Sequence, residues 1–164
     1  LDDAKSRDLF DTTIDRIQSM SLLHQKIYQS KNISKFSVQE YIETLTNDLI
    51  QSYSVEKEIK IKVESNVEEI DNDSIVCFAL ILNELISNAI KHAFHNKESG
   101  EIFISVIRNN DRVSLNFSDN GQWVEEDETT SSFGLELIDL LTEQLSGDYK
   151  LVKGLDGTTY KFSF

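Results

Sequence analysis

The chain has 164 residues, 39% of them hydrophobic and 27% charged, the balance of a soluble globular protein with room for one real core and an appendage. A formal net charge of -13 argues against nucleic acid and anionic membrane surfaces as direct partners, but admits an anionic ligand that travels with a divalent cation. The single cysteine, Cys77, and three histidines without metal-ligand spacing exclude a disulfide framework and a zinc cluster, and suit a reducing, cytoplasmic setting.

No apolar run reaches the ~18 residues of a membrane span, and no signal peptide is visible. The first residue is Leu1 rather than Met, so the chain is expected to be a fragment of a longer protein whose own membrane anchoring stays open. Residues 3 to 30 are expected to form one long helix, because Phe10, Ile14, Ile17, Met20, Leu23 and Ile27 recur every three or four positions. That stripe needs a covering helix from upstream sequence or from a second chain. The run from Ser30 to Lys35 breaks the pattern and reads as a linker.

A second helix follows, with Val38, Tyr41, Ile42, Leu45, Leu49 and Ile50 at helical spacing, and Ile59 to Val63 alternates as a half-buried strand. Asp71 to Ser74 supplies N-cap chemistry for a long third helix. On it Ile75, Phe78, Ala79, Leu82, Ile86, Ala89 and Ala93 make an apolar stripe. At about 100° per residue, Glu84, Asn88, Lys91 and His95 gather opposite that stripe. Strands at Ile102–Ile107 and Val113–Phe117 flank the turn Asn109-Asn110-Asp111. A polar loop from Gln122 to Ser132 leads into a helix over Phe133–Leu145 that is ended by Gly147. Strands Tyr149–Val152 and Tyr160–Phe164 close the chain as a hairpin around Leu155-Asp156-Gly157. This order predicts an α+β two-layer sandwich, with a mixed sheet and its helices on one face.

Four segments carry chemistry. The carboxylate, amide and amine of Glu84, Asn88 and Lys91 on one rigid face suit a hydrated metal and a phosphate chain, although an ordinary solvated face would use the same residue types. Asp119-Asn120-Gly121, placed after a strand, offers an acceptor for an exocyclic amine and a glycine for close approach to a flat ring; it is also a common turn. Ser131-Ser132-Phe133-Gly134-Leu135 presents helix-terminal amides that suit a phosphate, or forms a plain N-cap. Gly157 to Phe162 is a turn running into a strand.

Together and in this order, these segments resemble the ATP-binding domain of two-component sensor histidine kinases, the Bergerat (GHKL) ATPase fold. Asn83 to Phe94 is similar to that family's N box, Asp119-Asn120-Gly121 to its first glycine box, Gly134-Leu135 to its second, and Gly157 to Phe162 to its last strand motif. Arg16 to Ser30 is similar to the second dimerisation helix of the subfamily whose phospho-acceptor box begins with paired histidines. The resemblance implies two units, a truncated dimerisation hairpin over 1–32 and a catalytic domain over 37–164, with ATP and Mg²⁺ as ligands. It implies that Asn88 ligates Mg²⁺, that Glu84 orients a metal-bound water or accepts a proton, and that Lys91 pairs with a phosphate, with His92 beside it on the nucleotide helix. It further implies that Asp119 reads the adenine amine, Thr158 supports a bridging water, Gly121 gives the base room, and Ser132, Gly134 and Leu135 cradle phosphates. The implied partners are a response regulator and a second copy of the chain through the N-terminal helix.

Three departures stand out. Trp123 occupies the place where the first glycine box usually carries another glycine. The lid before Gly134 is short and holds the acidic run Glu125-Glu126-Asp127-Glu128, expected to swing outward as a mobile lid. The phospho-acceptor belongs upstream of residue 3, and His24 matches a position that is not the acceptor, so this chain is expected to bind ATP without phosphorylating itself. Two other functions fit parts of the pattern: a docking module with a degenerate pocket, and an anti-sigma-type serine kinase on the same fold.

Overall fold

The computed structural model describes residues 37–52, 58–68, 70–94, 97–122, 132–154 and 156–164, with Phe10, Ile14, Ile17 and Ser21 of the N-terminal segment. Those four are helical and exposed, Phe10 by 65% and Ile17 by 60%. The rest of the expected helix over 3–30, the linker at 30–35, His24, His95, Trp123 and the acidic run at 125–128 lie outside the described residues.

The first continuously described element is helix α1 (Val38–Ser52). Its start is a reciprocal cap: the Glu40 amide donates to the Ser37 hydroxyl at 3.2 Å, and the Ser37 amide donates to the Glu40 carboxylate at 3.4 Å. Strand β1 (Glu58–Ser65) leads to helix α2 (Asn72–Asn88), which runs directly into a wider π turn at Ala89–Ala93. Asp71 caps α2 by accepting from the Ser74 amide at 2.9 Å, as the Asp71–Ser74 run predicts. Strands β2 (Ser99–Asn109) and β3 (Arg112–Asp119) form a hairpin whose turn residue Asn110 has φ 57°, a conformation that asparagine tolerates better than most residues. Helix α3 (Ser132–Gln144) and the hairpin of β4 (Asp148–Gly154) and β5 (Gly157–Ser163) complete the chain.

The sheet is five-stranded in the order β1-β2-β3-β5-β4, with β1 parallel to β2 and every other pair antiparallel. The parallel pair is joined through α2, the crossover such a pair requires. Ile102, Ile104 and Val106 of β2, Leu115 and Phe117 of β3, and Tyr160 and Phe162 of β5 alternate into the core. Helix α2 lies against that face, and α1 and α3 pack beside it. The expected mixed-sheet sandwich is therefore found.

Two expectations need correction. Ser74–Ala93 is long and apolar enough to cross a membrane by length and composition alone, although its longest uninterrupted apolar run, Ile75 to Leu82, is too short to span one. It is the central core helix, mostly covered by the sheet and the neighbouring helices. Gly147 also differs from its expected role, because the left-handed residue after α3 is Ser146, with φ 53°. The Gly147 amide bonds the Thr142 carbonyl at 3.0 Å and the Ser146 amide bonds that of Glu143 at 2.8 Å, a Schellman stop with serine in the usual glycine place. Gly147 is small for a different reason: a Cβ there would lie 2.6 Å from the Ser163 carbonyl oxygen and inside the Phe164 ring contact.

These contacts predict opposite effects at adjacent positions. Ser146→Gly relieves a left-handed L-residue and should raise stability by about 0.5–1 kcal/mol. Gly147→Ala should lower it by roughly 1–3 kcal/mol through overlap with Phe164. Urea unfolding midpoints of the two variants check both signs, and a stabilising Gly147→Ala would contradict this packing.

Candidate functional site

The site grows from the C-terminal half of α2. Most residues from Cys77 to Ala93 are buried, because the helix is covered by the sheet on one side and by α1 and α3 on others. Glu84 is fully buried along with Asn83, so the alternative of an ordinary solvated face does not hold for it. Carrying a carboxylate into a core costs several kcal/mol unless the group is well partnered. Asn88, Lys91 and His92 are half-buried. Lys91 and His92 sit within the π turn, closed by the Phe94 amide on the Ala89 carbonyl at 2.9 Å. Their directions therefore depart from a count at 100° per residue, while Glu84 and Asn88 precede the turn. Single π turns inside helices recur at functional sites.

The end of β3 docks on that turn. The Gln122 amide donates to the Ala93 carbonyl at 2.8 Å, and a Cβ on Gly121 would lie 2.7 Å from the Ala93 carbonyl carbon. Only glycine lets the Asp119–Gln122 segment come this close to α2. From the other side Gly157, at φ 140°, lies against the Asp119 carbonyl. Asn120 extends the β2 ladder by one residue: its amide donates to the Glu101 carbonyl at 3.2 Å, and its side-chain oxygen accepts from the Glu101 amide at 2.8 Å. Lys97 closes the fourth side by donating to the Asn120 carbonyl.

Asp119 itself is 8% exposed and pairs across the sheet with Thr158. One carboxylate oxygen accepts from the Gly121 amide at 2.9 Å. Burial pushes the Asp119 carboxyl above its usual 3.8, opposed by the Gly121 and Thr158 amides and by the Lys97 charge. Thr158 is 1% exposed and its hydroxyl has no hydrogen-bond partner within the protein.

Asp119, Gly121 and Thr158 are thus brought together at one edge of α2, near the end of the helix that carries Glu84, Asn88, Lys91 and His92. Gly134 is buried and Leu135 half-buried in the first turns of α3, which packs against α2. Ser132 is the first residue of α3. Among the described residues no cluster of three His, Cys, Asp or Glu side chains could hold a metal by itself. Asn88 offers one amide oxygen, which fits a hard cation that keeps most of its waters and leans on phosphate oxygens rather than on a protein cage. A buried acceptor at Asp119, with an unpartnered hydroxyl next to it, fits the amine edge of a purine.

Sequence reasoning missed three contributors. Tyr160 lies two residues beyond Thr158 on the same strand face, which period-two alternation would have revealed. Lys97 and Ala93 gave no local signal, since their roles arise from the docking of distant segments.

Residues 46–159 match the family described as "Histidine kinase-like ATPase domain", and residues 1–53 match one described as "Histidine kinase". The sensor histidine kinase PdtaS of Mycolicibacterium smegmatis is 26% identical over 150 residues, covering 87% of this chain and 30% of that protein. The chain spans about 30% of the length of the curated relatives it matches. A blue-light activated histidine kinase of Erythrobacter litoralis superposes with a TM-score of 0.78 at 19% identity, covering 96% of this chain and 49% of that one. Full-length ShkA in complex with AMPPNP superposes with a TM-score of 0.54 at 20% identity, covering 74% of this chain and 29% of that one.

The raised Asp119 carboxyl has a consequence for stability. The folded state holds that proton more tightly than the unfolded chain, so its contribution is present below the ordinary value and is lost as pH rises through the raised one. Asp119→Asn, neutral throughout, should therefore gain stability relative to the parent between pH 4 and pH 7, by about 1.4 kcal/mol for each unit of upward displacement. Thermal midpoints of both proteins across that range check the sign; a gap that narrows with rising pH would contradict it.

Proposed function

The chain belongs to the histidine kinase-like ATPase domain family, and on that premise we propose that it binds Mg-ATP and donates the γ-phosphoryl group to a histidine on a helix preceding residue 1. In that transfer the bond from the γ-phosphorus to the bridging oxygen breaks, a phosphorus–nitrogen bond forms on the imidazole, and ADP leaves. The observation that carries this proposal is the buried Asp119 carboxylate, held by the Gly121 amide and flanked by the unpartnered Thr158 hydroxyl. An acceptor of this kind, held in place by backbone amides with acceptor capacity to spare, favours a ligand with an exocyclic amine, because a ligand without one forgoes that hydrogen bond.

Asp119 would accept the adenine amine, Thr158 would hold a bridging water, and Gly121 would keep the wall of the base pocket low. Asn88 would hold Mg²⁺ through its side-chain oxygen, the ion supplying charge neutralisation on the phosphates when bound. Lys91 would pair with a phosphate oxygen, with His92 beside it in the π turn. Glu84, shielded from bulk water, would take or hold a proton at its carboxylate. Ser132, Gly134 and Leu135 would present the amides of the first turn of α3 to the phosphate chain. Most of the rate enhancement would come from positioning and electrostatics rather than from covalent chemistry by the protein.

Supporting this are the AMPPNP in the complex of full-length ShkA and the sensor-kinase relatives aligned over most of the chain. The same proposal divides the chain into a dimerisation segment over 1–32 and a catalytic domain over 37–164. It includes a cytoplasmic setting, a response-regulator aspartate as the next phosphoryl acceptor, and homodimerisation through the exposed Phe10, Ile14 and Ile17 stripe.

Calorimetric titration with Mg-ATP tests it. The parent should bind, and Asn88→Ala should lose at least about tenfold in affinity with Mg²⁺ present while changing little in EDTA. The chain alone should incorporate no phosphate from labelled ATP. A folded protein with no affinity for Mg-ATP would turn the assignment toward a docking module with a degenerate pocket.

A further inference from the structure

One polar group beside Asp119 has no role in the assignment above. Tyr160 follows Thr158 by two residues on β5, so both side chains enter the core on the face that Asp119 and Phe117 occupy on β3. The ring is 2% exposed and wedged among Phe117, Tyr149 and Phe162, with centroids at 6.5, 6.2 and 6.3 Å. Its hydroxyl is buried and has no hydrogen-bond partner within the protein. A phenylalanine would fill the same space without stranding a polar atom, so the hydroxyl calls for a partner that the protein atoms do not supply.

Asp119 is the diagonal neighbour of Tyr160 across the sheet, and burial, with a smaller contribution from the Asp119 charge, pushes the tyrosine up to about 12. No direct bond joins them. The hydroxyls of Tyr160 and Thr158 and the Asp119 carboxylate thus share one buried face of β5 and β3, three polar groups, the usual complement of one buried water.

We propose that Tyr160 is a positioning residue for Asp119: with Thr158 it holds one internal water against the carboxylate and so fixes the orientation in which Asp119 meets a purine amine. The water contact stands on the packing alone; its consequence for ligand choice rests on the adenine assignment above. The other groups acting on Asp119 are Lys97 from the segment after α2, the amides of Gly121 and Thr158, and, through Asn120, the backbone of Glu101 on β2.

The first test uses the unaltered, ligand-free protein. A long-lived water should give cross-relaxation to the Tyr160 ring and Thr158 methyl protons, and its absence overturns the proposal. The second compares carboxyl ¹³C titrations of the parent and Tyr160→Phe. Losing a donor to the ionised form should move the Asp119 midpoint upward, whereas an unchanged midpoint in a folded variant overturns the proposal. The third compares ATP with purine riboside triphosphate, which lacks the amine. Tyr160→Phe should weaken ATP by about three- to tenfold and the amine-free analogue by less than about twofold. Equal weakening of both would indicate a merely structural role and overturn the positioning. If the parent itself ignores ATP while the water and the midpoint shift are present, the adenine assignment fails and the water contact survives.

Discussion

The fold around the site depends on one close approach: the glycine turn at the end of β3 lying against the π turn at the end of α2. The amide of Gln122 on the Ala93 carbonyl, and Gly121 pressed on Ala93, tie two segments separated by a whole hairpin. Gly157 against Asp119 ties in a third segment from the end of the chain. Side chains at two of these points would push the segments apart, and the carboxylate would no longer sit beside the helix carrying Glu84, Asn88 and Lys91. The π turn is part of the same constraint, since it leaves Ala93 positioned to receive both contacts. The site is thus set by backbone proximity first, and its polar side chains are arranged on that frame.

The frame carries polar groups that an apolar core would not tolerate without reason. Glu84, Asn83, Thr158 and Tyr160 are almost completely buried, and both polar atoms of the Asn83 side chain lack hydrogen-bond partners within the protein. Each stranded donor or acceptor costs about 1–3 kcal/mol. Local conflicts of this kind concentrate where function opposes stability. The rest of the core is conventional, with Ile, Leu and Phe alternating on the strands and lining α2, and it offsets that cost.

Much of this was legible in the sequence. Periodicity separates helices from strands, and the boundaries of α1, β3 and the last hairpin lie within a few residues of expectation. The order of the motif boxes carried the resemblance to the fold and the family. What local pattern could not supply was depth. Glu84 looks solvent-facing on a helical wheel, yet it is enclosed because α2 is covered on more than one side. The π turn was invisible because it follows from how the helix end packs rather than from any residue type. Ser146 taking the left-handed position ahead of Gly147 shows the same limit: glycine marks the place, but contact with Phe164 decides which residue must be small. Tyr160 was within reach, since it shares a strand face with Thr158, but an aromatic residue in a core strand gives no hint of an unpartnered hydroxyl.

The central claim is that the Asp119 turn and the end of α2 form the two walls of one nucleotide pocket. The most direct measurement is a crystal structure of the chain with Mg²⁺ and a non-hydrolysable ATP analogue. The account predicts the adenine amine within hydrogen-bond distance of the Asp119 carboxylate and the ion on the side-chain oxygen of Asn88. A nucleotide seated elsewhere, or a base directed away from Asp119, would contradict it.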